Sequence, residues 1–119
     1  MNYNNLVSEM LIRFPELNLE YEKLLSGNFL DANSGVHTVF STLFNPRLMR
    51  EVERRSALSF RMMAFVAEMD NSDDRLVGEV AEFTVLEELC DEFEDEMINV
   101  YFDDLNFNES RKQIRQYIV

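Results

Sequence analysis

The sequence predicts an all-α fold: a single-domain bundle of about six helices over residues 1–119, built around a central helix near residues 46–69. Three observations predict it. Apolar residues recur at spacings of three and four through most of the chain, the period of a helix that buries one face. Three Gly and two Pro in 119 residues are too few for the turn-rich connections of a sandwich or barrel. No stretch alternates apolar and polar residues as a half-buried strand would. Val36 to Phe40, β-branched and aromatic, is the one place where a strand competes, and helix is preferred there too.

The elements follow in order. Leu6, Met10 and Phe14, with Val7 and Leu11 beside them, predict a helix over residues 4–14 that Pro15 closes. Glu16 to Ser26 resumes the pattern on Leu17, Tyr21, Leu24 and Leu25, and Gly27-Asn28 stops it, since both residues tolerate a left-handed C-cap. Asp31 to Gly35 reads as a loop, with Ser34 placed to cap a short apolar helix to Phe44. Asn45-Pro46 then reads as a helix start, opening the long helix to about Met69. On that helix Arg47, Arg50, Arg54 and Arg61 share one sector, opposite Met49, Val52, Phe60 and Met63.

Asn71-Ser72-Asp73 interrupts the pattern, with Ser72 or Asp73 able to cap a helix to about Asp91. Its apolar stripe drifts. Leu76, Val80 and Phe83 define one face, whereas Leu86, Leu89, Cys90 and Phe93 define another rotated by roughly 60–80° at 100° per residue. Either the middle turn is widely buried or the helix bends there. Ile98, Tyr101, Phe102 and Leu105 predict a helix over about Asp95 to Leu105, followed by a turn. Ser110-x-x-Gln113 resembles a capping box for a last helix ending near Tyr117.

The longest apolar run, Met62 to Ala67, falls far short of the roughly 20 residues of a membrane span. The first residues carry neither a basic nor an apolar leader segment, so no secretory signal is expected. A lone Cys90 permits no internal disulfide and suits a reducing compartment, so the expected location is cytoplasmic.

Charge is distributed unevenly. Residues 1–67 balance seven acids with seven bases, whereas residues 68–109 hold sixteen acids against Arg75 alone, a net charge of −15. The chain's overall −12 therefore belongs to one segment. Part of that segment is expected to pair with the arginine sector of the central helix, and part to favour helix N-termini. The remainder, densest over 70–74, 87–96 and 103–104, is more than solvation requires, because unbalanced charge repels itself.

No catalytic, cofactor or metal motif accompanies these acids. The only histidine, His37, has Ser34 three residues before it, so the paired Glu-x-x-His of a di-metal bundle is absent. A calcium loop starting at Asp70 would place Arg75 at its sixth position and Ala81 at its twelfth, where Gly and Glu are needed. One Cys and one His do not make a zinc site. Cys90 sits on an apolar stripe beside Asp91 and Glu92, which raise rather than lower a thiol pKa, and reads as a core residue. No enzyme activity and no cofactor are expected.

The residues Val36-His37-Thr38-Val39-Phe40, then Phe44-Asn45-Pro46 opening a helix, then Val80-Ala81-Glu82-Phe83-Thr84-Val85-Leu86-Glu87-Glu88-Leu89 resemble small all-helical immunity proteins. Such proteins accompany bacterial polymorphic toxins, including those of contact-dependent growth inhibition systems. The resemblance implies a cytoplasmic inhibitor that binds the C-terminal domain of one cognate toxin, often a basic nuclease, and occludes its active site. Direct nucleic-acid or membrane binding is not expected, and the expected species are a monomer and a 1:1 complex. Charge density, rather than the resemblance, nominates the contact residues: Asp70, Asp73, Asp74, Glu88, Asp91, Glu92, Glu94, Asp95, Asp103 and Asp104, with Phe93 or Tyr101 as an aromatic anchor. An acidic adaptor docking a basic host protein is the alternative that the same surface would serve.

Overall fold

The computed structural model describes residues 1–105 and 107. Its helices are α1 (Leu6–Arg13), α2 (Asn18–Ser26), α3 (Val36–Val39), α4 (Asn45–Arg54), α5 (Ala57–Asp70), α6 (Arg75–Glu79), α7 (Glu87–Glu92) and α8 (Asp95–Asp104). A π-helical turn, Phe40–Phe44, joins α3 to α4, and a second, Val80–Leu86, joins α6 to α7. The junction residues keep right-handed helical dihedrals, so each trio is one continuous helix. Six helical bodies and no strand thus make up the described residues, as the apolar spacing predicted. The anticipated capping box at Ser110 lies outside them.

Local signals set most of the ends. Leu6, Met10, Phe14 and Leu17 are all buried, and Pro15 opens a 3-10 turn to Leu17 that redirects the chain between α1 and α2. After α2 the left-handed residue is Asn28, at φ 62°, while Gly27 stays at negative φ. Ser34 caps no helix. Its hydroxyl accepts from the Asp31 N–H inside the loop, and Gly35 precedes α3 instead. The cap of α6 is Asp74 rather than Ser72 or Asp73, accepting from the Leu76 N–H at 3.0 Å.

The expected central helix over 46–69 is two helices. Asn45-Pro46 does not start one, since the helix arrives from Val36 through the first π-turn and Asn45 lies inside it. The break falls at Arg55, which adopts the left-handed conformation (φ 51°, ψ 42°), followed by Ser56, whose hydroxyl caps α5 by accepting from the Ser59 N–H. Left-handed geometry costs a side-chain-bearing residue about 1 kcal/mol. Arg55→Gly is therefore expected to raise the unfolding free energy by about that amount, read from urea midpoints at unchanged slope. A loss of stability would mean that the Arg55 side chain contributes more than its backbone strain costs.

α5 is the centre of the molecule: Met62, Met63, Phe65, Val66 and Met69 are fully buried along it. Phe65 and Phe44 each meet Phe14, at ring-centroid distances of 5.5 and 6.1 Å. Each such side chain contributes roughly 1.5–3 kcal/mol by leaving water. α8 crosses the far end of this core. There Tyr101 is fully buried, its hydroxyl 2.8 Å from Ser59 Oγ and its ring 4.6 Å from that of Phe60.

The second π-turn explains the drifting stripe. Buried Val80 and Ala81 are followed five residues later by buried Val85 and Leu86, a spacing that an α-helix cannot keep on one face. A turn bonded from i to i−5 can, and the Glu87 N–H indeed donates to the Glu82 carbonyl. One consequence corrects the sequence reading: Leu76 and Phe83 face outward, 44% and 58% exposed, and only Val80 of that predicted face is buried.

Candidate functional site

The arginine sector does not neutralise the acidic segment. Arg47 bonds Glu20 at 2.6 Å and Glu51 at 3.3 Å, Arg50 and Arg54 approach Glu20 and Glu51, and Arg61 bonds Glu16 at 2.7 Å. All three carboxylates belong to the balanced half of the chain: Glu51 lies on α4 itself, and Glu16 and Glu20 come from α2 and its leading turn. Among the described residues two ion pairs reach the acidic segment, Arg13–Glu68 at 2.6 Å and Arg75–Glu79 at 3.7 Å. Hydrogen bonds from Arg13 hold the Glu68 carboxyl below its ordinary pKa, and Arg61 does the same for Glu16. These clamps tie the N-terminal helices to α5, and the same guanidiniums lie over the Phe65 and Phe14 rings.

The acids left over are therefore more numerous than expected. Asp73, Glu87, Glu88, Asp91, Glu92, Glu94, Glu96, Asp103 and Asp104 are exposed and in no ion pair among the described residues. Most of them lie on α7, on α8 and on the turn between them. Asp95, also exposed, begins α8, where a negative charge suits the helix dipole.

Three nominated residues belong to the scaffold instead. Tyr101 is sealed in the core and offers a partner nothing. Asp70 is 5% exposed at the end of α5. Asp74 is half-buried, caps α6 and also accepts from the Tyr3 N–H at 2.9 Å, pinning the N-terminus. In each case the sequence displays an acid or an aromatic ring, and the tertiary contacts turn it inward.

Phe93 is half-buried in the α7–α8 turn and separates two hollows. One, of about 560 Å³, lies against α4 and is lined by Pro46, Met49, Arg50, Glu53, Glu92, Phe93 and Met97. The other, of about 510 Å³, is formed by Cys90 to Glu96. The ring packs partly against the core and stays partly open to a partner.

A second constellation, which the sequence reading did not single out, forms where the two π-turns meet. The buried Asn45 amide donates to the Thr84 carbonyl at 2.8 Å and to Glu88 Oε2 at 2.7 Å. His37 Nδ1 hydrogen-bonds the Thr84 hydroxyl. Above them lies an open groove of about 410 Å³ lined by His37, Thr38, Ser41, Phe83, Thr84, Glu87, Glu88 and Asp91. π-turns concentrate at functional sites, and the drift of the 76–93 stripe was the signal that could have located this one. A hydroxyl–imidazole contact meets the first requirement of nucleophilic catalysis. The second, a carboxylate orienting the imidazole, is not met by any bond to His37 among the described residues.

Among the described residues no three or more His, Cys, Asp or Glu side chains gather as a metal site, and no helix is long and apolar enough to cross a membrane. No protein-family model, curated protein sequence or solved structure matches the chain.

Proposed function

We propose that this chain is a non-enzymatic inhibitor, an immunity protein that binds a basic, nuclease-type bacterial toxin domain through the acidic α7–α8 face and covers its active site. One observation carries the reading: the arginines of α4 and α5 are engaged by Glu16, Glu20 and Glu51, and Glu87, Asp91, Glu92, Glu94, Glu96, Asp103 and Asp104 make no ion pair among the described residues. Such a surface costs stability through self-repulsion, and a cationic partner relieves that cost while accelerating encounter. The half-buried Phe93 supplies an aromatic anchor within the same face. A nuclease presents cations where it holds phosphates, so carboxylates on α7 and α8 can occupy the same sites. A cytoplasmic location accords with this role and with the reduced Cys90.

The test is co-expression with the toxin encoded immediately upstream, joined to stopped-flow association between purified domains. Protection is expected, together with an association rate that falls at least tenfold between roughly 50 and 200 mM salt. Unchanged toxicity, or a rate indifferent to salt, overturns the proposal. Specific capture of a basic DNA-binding host protein, with no toxin gene alongside, would assign the face to an adaptor instead.

A further inference from the structure

We propose that the groove at the junction of the two π-turns is a receptor for an arginine side chain of the protein partner, with Phe83 as its stacking surface and Glu87, Glu88 and Asp91 as its counter-charges. The proposal deepens the docking role given above and rests on it.

The Phe83 ring is 58% exposed on a helix whose neighbouring Val80, Ala81, Val85 and Leu86 are all buried. The π-turn places it there: the inserted residue carries Val85 and Leu86 inward and leaves Phe83 on the outer side. An aromatic face open to solvent and bordered by carboxylates suits a planar guanidinium, which stacks on the ring while its N–H fork bonds carboxylate oxygens. An ammonium has the charge but neither the plane nor the fork.

One wall is already organised. Asn45, fully buried, holds one oxygen of Glu88 and leaves the other to a ligand, and His37 holds the Thr84 hydroxyl. Binding therefore need not order Glu88, which limits the entropy cost. Glu87 and Asp91 are exposed and have no cation among the described residues. The nearest base along the helix, Arg75, pairs with Glu79 a full turn before Phe83. The hollow beside Phe93 and α4 is the weaker candidate, because Arg50 lines it and would repel a second guanidinium.

The test uses the isotope-labelled full chain at low ionic strength, titrated by NMR with a triarginine peptide and with trilysine. The largest shifts are expected at the Phe83, Thr84 and Glu87 amides, with triarginine at least about threefold tighter than trilysine. Phe83→Leu keeps the apolar bulk at an exposed position and should abolish that preference. Phe93→Leu should leave it intact. If the preference survives Phe83→Leu, or the shifts centre on residues 92–96, the groove is not the receptor, although docking through the acidic face stands. If neither peptide binds, both readings fall.

Discussion

Neutralising Asp91, Glu92 and Glu94 together, as Asn, Gln and Gln, is expected to raise the melting temperature by about 3–5 °C while slowing capture of the toxin domain at least tenfold. The three carboxylates lie within four residues, around the α7–α8 turn, and all are exposed. None makes an ion pair among the described residues, and Glu94, at the N-cap position of α8, makes no side-chain capping bond. They repel one another and Glu96 within a Debye length of about 10 Å, and relieving that repulsion contributes about 1 kcal/mol. Opposite signs for stability and binding are the mark of a surface kept for a partner. Thermal unfolding at low and high salt measures the first quantity, with the gain expected to shrink as salt rises, and stopped-flow association measures the second. A lower melting temperature in the triple variant would show that these acids serve the fold and would remove the reason to look for a cationic partner.

Asn45→Ala is expected to destabilise the protein by about 2 kcal/mol. Asn45 is fully buried, and its amide joins two helices by donating to the Thr84 carbonyl and to Glu88. Truncation leaves a carbonyl inside the second π-turn and one carboxylate oxygen without their donor, and removes side-chain volume from a fully buried position. Hydrogen exchange should accelerate first over residues 80–86, where the turn departs from α-helical bonding, before global unfolding does. A cost under about 1 kcal/mol would mean that packing alone holds the two π-turns together. The experiment also bears on the arginine receptor, because Glu88 loses the hydrogen bond that positions it.

The helical outline was legible because its causes are local. Leu6, Met10 and Phe14 fall on one face whatever surrounds them, and Pro15 and the Gly27-Asn28 pair end helices through backbone geometry alone. The stripe of Ile98, Tyr101 and Phe102 placed α8 for the same reason. The break at Arg55 was not legible. Apolar periodicity continues on both sides of it, and the left-handed residue is an arginine, which has no local preference for that conformation. The drift between the Val80 and Leu86 faces was visible, but a bend, a wide burial and a π-turn all produce it. The choice among them depended on which side chains α5 could receive.

What the sequence determined by itself is the helical class, most of the helix boundaries and the concentration of negative charge after residue 67, since these follow from short-range spacing and composition. What tertiary structure decided is which charges remain available. An arginine reaches whatever carboxylate the fold brings within a few ångströms, and the arginines of α4 and α5 meet Glu16, Glu20 and Glu51, while Glu87, Asp91 and Glu92 of α7 make no ion pair among the described residues. Packing also buried Asp70 and Tyr101, and the residue inserted into the second π-turn left Phe83 facing outward.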